Sequence, residues 1–360
     1  MKGTKNRKIV LTGGGTAGHV TPNIALIPKL QKEGWDIFYI GSYNGIEKQL
    51  IKDMGITFYG ISSGKLRRYF DLKNFTDPFR VVKGYFDAVK LINHINPSIV
   101  FSKGGFVTVP VILAAKRKKI PSIIHESDIS PGLANKISMP FTTKVCATFP
   151  ETLNHLPKRK SVLTGTPIRS ELFTGKYTKG LKTCNFNNKK PILLIIGGSL
   201  GSTKINTIIR KNINYLLNMF QIIHICGKGN IDNNLNKTQG YKQYEYVSKN
   251  LPDLFAAADI VLSRAGANTI FELLELKKPN ILVPLSSSAS RGDQILNAKS
   301  FEEQKFSYVI EEENLSKDTL IQGLKETFEN RHRYIDKMKQ TNLKNGVDSV
   351  LTLINEVVNN

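Results

Sequence analysis

One arrangement of residues occurs twice in this chain and limits its fold more than any other feature. An apolar strand, KIVLT (8–12), runs into the glycine loop GGGTAG (13–18) and then into a helix with apolar residues at helical spacing. In the second half, the strand PILLII (191–196) runs into GGSLGS (197–202) and another such helix. Alternating strands and helices are typical of a parallel sheet covered by helices on both faces. The repetition therefore predicts two similar doubly wound α/β domains.

Further strand–loop pairs correspond between the two halves. They are SIVF–SKGGF (98–106) and DIVL–SRAGA (259–267), then SIIH–ESDISPG (122–132) and NILVP–LSSSASRGDQ (280–294). Each polar or glycine-rich loop follows a strand, and ligands of open α/β sheets bind at the carboxyl ends of the strands. The pattern predicts two facing sets of loops with the functional site in a cleft between the domains.

The predicted boundary lies within residues 157–167, where basic residues, glycine and proline cluster. We expect an N-terminal domain over 1–164 and a C-terminal domain over 165–344. A terminal helix within 345–360 has apolar residues at helical spacing and is expected to pack back on the N-terminal domain. The segment 178–190 has no apolar periodicity and is predicted to be a surface loop.

The composition indicates a globular protein with a strongly basic surface. The 360 residues contain 51 Lys and Arg against 29 Asp and Glu, a formal charge of +22, which attracts nucleic acid, anionic lipid or phosphorylated small molecules. No apolar run approaches the roughly 20 residues of a spanning helix, so no membrane crossing is predicted. The three cysteines are far apart and match no metal-binding or redox spacing, which suits a protein of a reducing cytosol.

The glycine loops are candidates for holding a diphosphate. Thr21 and Pro22 suit the N-cap and first turn of the helix after the first loop, and a helix N-terminus with exposed amides favours an anion. A dinucleotide is disfavoured because the second strand ends in Gly41 and Ser42 rather than in an acidic residue. GGSLGSTK does not match a P-loop, and there is no Asp-x-Asp pair for a metal. Backbone amides, a helix end and basic side chains would then have to compensate the negative charge of the diphosphate.

Seven motifs, taken in order, strongly resemble the MurG family of UDP-N-acetylglucosamine:lipid I N-acetylglucosaminyltransferases, in the form found in Gram-positive bacteria. The motifs are TGGGTAGHVTPN (12–23), SKGGFVTVP (102–110), HESDISPGLANK (125–136), GTPIR (165–169), GGSLGS (197–202), SRAGANTIFE (263–272) and SRGDQILNA (290–298). The resemblance implies a GT-B fold of two Rossmann-like domains that face each other across a cleft. It also implies inverting transfer of GlcNAc from UDP-GlcNAc to the 4-hydroxyl of MurNAc in lipid I, giving lipid II, with no metal or other cofactor.

Two residues are candidates for the base that such a transfer requires. His19 precedes the first helix, whose dipole should favour a neutral imidazole; a loop-orienting hydrogen bond or a phosphate contact is the alternative role. Glu126 is the second candidate, with a loop cap or a pairing with Lys103 or Lys136 as the alternative. Asp128 would bind a sugar hydroxyl, although the family often has Asn there. His125 is expected to be structural.

The resemblance implies that the donor is held mainly by the C-terminal domain. Glu272 matches the ligand of the ribose hydroxyls, Gln294 the ligand of the GlcNAc hydroxyls, and the Val247 backbone the contact to uracil. Arg169 matches a diphosphate contact, with a hinge salt bridge as its alternative role. The remaining substrate-binding positions implied are Thr16, Ala17, Gly18, Ser199, Ala267, Asn268 and Thr269.

We expect the protein to reach its lipid substrate by binding to an anionic membrane surface. The stretch 64–86 interleaves aromatic and basic residues, as interfacial segments do. The predicted membrane-facing residues are Lys65, Arg67, Arg68, Phe75, Phe79 and Arg80. The alternative is that Phe79, Val82 and Phe86 form the buried face of a helix. The expected location is the cytoplasmic face of the cell membrane, as a peripheral protein.

Three other functions compete with this interpretation. The nearest is another GT-B lipid glycosyltransferase, such as a diacylglycerol glucosyltransferase, which the HESD and SRGDQ motifs disfavour. Nucleic acid is not an expected partner because no RRM, KH, helix-turn-helix or finger pattern is present. A UDP-sugar sensor is disfavoured by His19, Glu126 and Gln294. Contacts with other cell-wall synthesis proteins and the oligomeric state stay open.

Overall fold

The structure, a computed structural model, describes residues 7–64, 77–198, 201–288 and 290–359. These residues divide into two compact units. The first contains the described residues up to Arg169 and those from Asn345 onward, and the second spans Ser170–Lys344. Residues 165–169 therefore lie in the first unit, whereas the sequence pattern starts the second domain at residue 165.

In the described part of the first unit, seven parallel strands form a sheet in the order β3-β2-β1-β4-β5-β6-β7. The strands are β1 (Arg7–Thr12), β2 (Trp35–Ser42), β3 (Thr57–Ile61), β4 (Ile99–Ser102), β5 (Ser122–Glu126), β6 (Lys144–Ala147) and β7 (Ser161–Leu163). The helices up to this point are α1 (Thr21–Lys32), α2 (Ile46–Lys52), α3 (Asp77–Ile95), α4 (Thr108–Arg117) and α5 (Leu133–Ser138). The central strand β4 is buried along its whole length, as expected of a parallel sheet covered on both faces.

The described part of the second unit repeats this topology with six parallel strands in the order β10-β9-β8-β11-β12-β13. The strands are β8 (Ile192–Ile196), β9 (Gln221–Ile225), β10 (Tyr241–Tyr244), β11 (Ile260–Ser263), β12 (Asn280–Leu282) and β13 (Tyr308–Val309). The helices are α6 (Tyr177–Cys184), α7 (Thr203–Lys211), α8 (Ile213–Met219), α9 (Leu251–Ala257), α10 (Ala267–Glu275), α11 (Asp293–Glu303), α12 (Lys317–Glu329) and α13 (Arg331–Gln340).

Both sheets confirm the predicted doubly wound class. In each sheet the chain order reverses at the centre, between β1 and β4 in the first unit and between β8 and β11 in the second. The loops that leave these strands, 13–16 and 103–107 in the first unit and 197–202 and 264–266 in the second, therefore start at the switch point of their sheet. Ligands of doubly wound sheets bind at that point.

The prediction of a surface loop over 178–190 is wrong for its first half, which is part of α6 (Tyr177–Cys184). The helix is short, and packing rather than its own periodicity stabilises it. Gly180 and Cys184, one turn apart, are its buried residues. A Cβ atom at Gly180 would lie 2.3 Å from the Asp253 carbonyl oxygen, so only glycine lets α6 approach α9 this closely.

The terminal helix α14 (Val347–Asn359) completes the core of the first unit. Val350, Leu351 and Ile354 are buried in the same cluster as residues of β1, β2 and α1. At the start of the helix, the Gly346 amide donates to the Thr166 carbonyl oxygen over 2.9 Å. The chain therefore returns to the first unit after building the second.

Candidate functional site

Two loops meet at the switch point of the first unit. The Lys103 amide donates to the Thr12 carbonyl oxygen at 2.9 Å, and the Gly14 amide donates to the Gly104 carbonyl oxygen at 3.4 Å. A Cβ atom at Gly105 would lie 2.3 Å from the Gly14 carbonyl oxygen, and Gly105 has a φ of +92°. Both facts require glycine at this position. The GGGTAG and SKGGF loops thus form one surface.

His19 lies half-buried on that surface, at the end of a turn of 3-10 helix over Ala17–His19. Its Nδ1 atom lies 3.0 Å from the Gly14 carbonyl oxygen, and a carbonyl can only accept, so Nδ1 carries the proton of the neutral ring. The lone pair is then on Nε2. Two of the three roles predicted for His19, a loop-orienting hydrogen bond and a base, are compatible with this tautomer because each uses a different nitrogen.

The predicted helix start after His19 needs a correction. The residue that caps α1 is Val20, and Thr21 and Pro22 are its first two helical residues. The Thr21 hydroxyl donates backward to the Ala17 carbonyl oxygen at 2.6 Å, which fixes the turn that carries His19. Thr16 is exposed, whereas Ala17 and Gly18 are half-buried beside it.

A buried carboxylate that the sequence pattern did not indicate lies beneath the first glycine loop. Glu47, in α2, accepts the Gly15 amide at 3.3 Å through Oε2 and the Ser42 amide at 2.9 Å through Oε1. A Cβ atom at Gly14 would lie 2.4 Å from Glu47 Oε1, so the loop rests directly on this side chain. Glu47 uses a loop amide and adds a negative charge, and both effects oppose a diphosphate at this loop.

Glu126 is buried at the end of β5, and its carboxylate organises the loop that follows. Oε1 accepts the amides of Ser127 at 2.9 Å and Asp128 at 3.2 Å. Oε2 accepts the Gly132 amide at 2.9 Å and the Asn135 side-chain amide at 2.8 Å. Burial raises the pKa of Glu126 despite these bonds. The geometry favours the loop-cap role over the role of base.

The buried Lys103, which follows β4, connects the carboxyl end of that strand to the end of β5. The Lys103 ammonium donates to His125 Nδ1 at 2.8 Å and to the Ser127 hydroxyl, while His125 Nε2 donates to the Gly165 carbonyl oxygen at 2.9 Å. Burial lowers the pKa of Lys103 to about 8, although Glu126 and Asp128 oppose the shift. Burial and the charge of Lys103 hold the pKa of His125 well below its ordinary value. His125 therefore lies in the interior as a neutral connector.

Asp128 and Arg169 are both half-buried residues of the first unit. The Asp128 carbonyl oxygen accepts the Thr152 hydroxyl at 3.2 Å, which holds the loop at a second point. Arg169 follows Ile168, whose amide and carbonyl both bond the Asn345 side chain, at 3.0 and 3.1 Å. Arg169 thus directly follows the residue at which the segment that leaves the first unit is hydrogen-bonded to the segment that returns to it.

The second unit presents a glycine loop and a helix N-terminus at its switch point. In the loop, Ser202 caps α7 by accepting the Ile205 amide at 3.3 Å, while Ser199 lies outside the described residues. In α10, the first helical bond runs from the Ile270 amide to the Gly266 carbonyl oxygen, so the amides of 267–269 form the positive end of the helix. A Cβ atom at Gly266 would meet nothing within 4 Å, which leaves space at this end.

The structure brings the predicted donor residues of the second unit to the same edge of its sheet. Ala267, Asn268 and Thr269 form the first turn of α10, and Glu272 is half-buried further along that helix. Gln294, in the first turn of α11, accepts the Leu285 amide at 3.0 Å through Oε1. This bond fixes the side chain so that its NH₂ group is the end available to a ligand. The half-buried Val247 follows β10.

Most of the predicted membrane-facing residues lie outside the part of the chain that the structure describes. Lys65, Arg67, Arg68 and Phe75 and the side chain of Phe79 lie outside the described residues, and Arg80 is exposed in α3. The alternative that Val82 and Phe86 belong to a buried helix face is wrong, because they are 55% and 65% exposed. Ala88 and Ile92 form the buried face instead. Among the described residues, no helix combines the length and apolarity that crossing a bilayer requires.

Within the described ranges, no three His, Cys, Asp or Glu side chains are grouped so that they could hold a metal ion.

Known families and proteins match this chain over almost its whole length. The glycosyltransferase family 28 N-terminal domain matches residues 9–147, and the glycosyltransferase family 28 C-terminal domain matches residues 192–352. A protein of Lachnoclostridium phytofermentans is 62% identical over 98% of this chain and 99% of its own length. It is named UDP-N-acetylglucosamine--N-acetylmuramyl-(pentapeptide) pyrophosphoryl-undecaprenol N-acetylglucosamine transferase. A Clostridium tetani protein of that name is 61% identical, over 97% of both chains.

Solved structures agree with these matches. MurG of Acinetobacter baumannii superposes with a TM-score of 0.76 and 25% identity, covering 98% of this chain and 99% of that one. The calicheamicin glycosyltransferase CalG4 superposes with a TM-score of 0.69 and 12% identity over 99% of both chains, which shows the fold alone. The predicted fold class of two Rossmann-like domains of the GT-B type is confirmed.

The buried Lys103 makes the stability of the first unit depend on pH in a specific direction. Its pKa is about 8 in the folded protein and near the ordinary 10.5 in the unfolded chain, so between these values the unfolded chain holds more protons. The free energy of unfolding of the wild type, relative to that of Lys103→Met, should therefore rise by about 1–3 kcal/mol as the pH increases through this window.

Urea unfolding followed by fluorescence measures this difference in the first unit, because the single tryptophan, Trp35, is buried there. Lys116→Met, at an exposed position, is the matched control. A wild-type-to-variant difference that stays constant from pH 7.5 to about pH 10 would contradict the assignment of Lys103 as a buried ammonium.

Proposed function

Since the chain belongs to the MurG family of glycosyltransferases, we propose that it transfers GlcNAc from UDP-GlcNAc to lipid I. The acceptor is the 4-hydroxyl of MurNAc in undecaprenyl-pyrophosphoryl-MurNAc-pentapeptide, and the product is lipid II. The observation that carries the proposal is the 62% identity, over 98% of the chain, to a transferase named for this donor and acceptor. The alternative, a diacylglycerol glucosyltransferase, has no comparable support.

We assign the donor to the second unit. The positive end of α10 at 267–269 suits the diphosphate of UDP, and its electrostatic preference is independent of any bound metal. Glu272 would accept hydrogen bonds from the ribose hydroxyls, Gln294 would donate its NH₂ group to a GlcNAc hydroxyl, and Val247 would contact uracil. Ser199 would complete the diphosphate ligands that this unit supplies. Arg169, which the resemblance implies as a diphosphate contact, belongs to the first unit. Transfer would then need UDP-GlcNAc as a substrate and no metal or other cofactor.

We assign the acceptor to the first unit, with His19 as the base. His19 Nε2 would take the proton of the acceptor 4-hydroxyl while the oxygen forms a bond to the anomeric carbon of GlcNAc. The bond from that carbon to the diphosphate breaks at the same time, UDP leaves, and the configuration inverts. The tautomer fixed by the Gly14 carbonyl supports His19 over Glu126, whose oxygens hold the 127–132 loop. Thr16, Ala17, Gly18 and Asp128 would contact the sugars.

The test is a transfer assay with labelled UDP-GlcNAc and a soluble lipid I analogue. Wild-type protein should label this acceptor and leave diacylglycerol unlabelled. His19→Ala should lower kcat by about 10²–10⁴-fold, the usual contribution of a positioned base, with little change in the donor KM. His94→Ala, which removes an exposed histidine of α3, is the control. Near-normal turnover by His19→Ala would remove His19 from the chemistry, and labelling of diacylglycerol alone would overturn the proposed acceptor.

We further propose that α3 helps to hold the protein at the cytoplasmic face of the membrane. Val82 and Phe86 lie one turn apart on its exposed side, close to Lys83 and Lys90, which are also exposed. Apolar side chains flanked by lysines suit the interface of an anionic bilayer, where rings enter the lipid and ammonium groups meet phosphates. Lys65, Arg67, Arg68 and Phe75, which the sequence predicts to face the membrane, lie outside the described residues and are proposed to contribute to the same binding.

Removing the apolar part of this surface should weaken membrane binding. The variant Val82→Ser/Phe86→Ser should bind phosphatidylglycerol vesicles about 10–100-fold more weakly, because partial burial of the two apolar side chains in the lipid contributes roughly 1.5–3 kcal/mol in total. Phe173→Ser changes a similarly exposed ring in the second unit and is the control. Co-sedimentation at low and high salt measures the affinity. Unchanged binding by the double variant would exclude α3 from the interface.

A further inference from the structure

Arg264, the residue after β11, makes hydrogen bonds to three other loops of the second unit. Nη1 donates to the carbonyl oxygens of Val283 at 3.1 Å and Pro284 at 3.3 Å. Nη2 donates to the Ser202 hydroxyl at 2.7 Å and to the Glu312 carboxylate. Both terminal nitrogens of the guanidinium are thus used by groups of the protein itself.

Glu312 is the negatively charged partner of Arg264 and neutralises its charge within the protein. It lies after β13, accepts Arg264 through Oε1 and accepts the Ser286 amide at 3.1 Å through Oε2. The side chains of Arg264 and Glu312 are only 12% and 11% exposed. Although burial alone would raise it, the pKa of Glu312 is lowered because Arg264 and the Ser286 amide stabilise the carboxylate. The pair is therefore ionised and mutually neutralised.

The groups joined by this ion pair come from four neighbouring strands. Ser202 follows β8, Arg264 follows β11, residues 283–286 follow β12, and Glu312 follows β13. In the sheet these strands are adjacent, in the order β8-β11-β12-β13. Ser202 also caps α7, and Arg264 lies two residues before Gly266, the cap of α10. A single ion pair thus fixes the start of both helices that border the proposed donor site.

An arginine at this position could instead be interpreted as a diphosphate ligand. Both terminal nitrogens of Arg264 already bind groups of the protein, however, and Glu312 compensates the positive charge of Arg264 at hydrogen-bond distance. A phosphate would have to displace a carboxylate that is held in place by a second hydrogen bond, from the Ser286 amide. The contacts therefore favour a role in positioning over a role in binding.

We propose that the Arg264–Glu312 pair is a positioning device for the nucleotide site, which holds the Ser202 loop and the start of α10 in the geometry that binds the diphosphate. The inference rests on the proposed function, because it takes the second unit to be the UDP site. It assigns a positioning role to Glu312, whose carboxylate binds Arg264 and the Ser286 amide. Neither residue would contact UDP directly.

The two roles predict opposite effects of removing the Glu312 charge. If the pair positions the site, Glu312→Gln should weaken UDP binding about tenfold, because the ion pair that joins the loops is lost. It should also raise the donor KM more than it lowers kcat. If Arg264 is itself a phosphate ligand, the same variant should bind UDP more tightly, because a competing carboxylate is gone. Isothermal titration calorimetry with UDP measures the affinity, and Glu303→Gln, in an exposed ion pair of α11, is the control.

A double-variant cycle completes the test. Arg264→Gln and the double variant Arg264→Gln/Glu312→Gln should weaken UDP binding to the same extent, because either single substitution already removes the Arg264–Glu312 ion pair. If Glu312→Gln fails to fold, Glu312→Asp retains the charge and shortens its reach. Positioning predicts weaker UDP binding for that variant, and direct ligation predicts no change. Wild-type protein that does not bind UDP would overturn the proposed function, whereas wild-type binding that Glu312→Gln leaves equal or tighter would overturn only this inference.

Discussion

The close approach of backbone segments at the strand ends is the constraint on which both functional surfaces depend. In the first unit, Gly105 lies against the Gly14 carbonyl so closely that a Cβ atom would be 2.3 Å from its oxygen. In the second, a Cβ atom at Gly201 would be 2.0 Å from the Cys226 carbonyl oxygen. Real side chains do not tolerate such contacts, so glycine is required at both positions. The amides and His19 are positioned as a consequence.

The two units share this architecture but differ in its electrostatics. Beneath the first glycine loop, Glu47 takes the Gly15 amide and adds negative charge. In the second unit, the positive end of α10 borders open space. This difference supports the proposal that the diphosphate binds at the second unit and the sugar hydroxyl at the first. One fold used twice can in this way hold a charged donor and an uncharged nucleophile.

The sequence was sufficient to predict the strands, the loops after them and the doubly wound class, because these depend on local apolar runs and glycines. It also placed His19, Glu272 and Gln294 on those loops or on the helices that follow them. It could not reveal Glu47, Lys103 or the Arg264–Glu312 pair as buried polar connectors, since their partners are distant in the chain and a charged residue ordinarily indicates an exposed position. The helix α6 was missed for a related reason, because the packing of Gly180 against α9 stabilises it and not its own periodicity.

We propose that the protein holds the diphosphate of its donor with backbone amides, a helix end and basic side chains, without a metal ion. Calorimetric titration of the full chain with UDP, in EDTA and then in excess Mg²⁺ and Mn²⁺, distinguishes this mode of binding from a metal-dependent one. We expect the same dissociation constant in all three solutions. Binding that disappears in EDTA and returns with either cation would show that a metal ion is required.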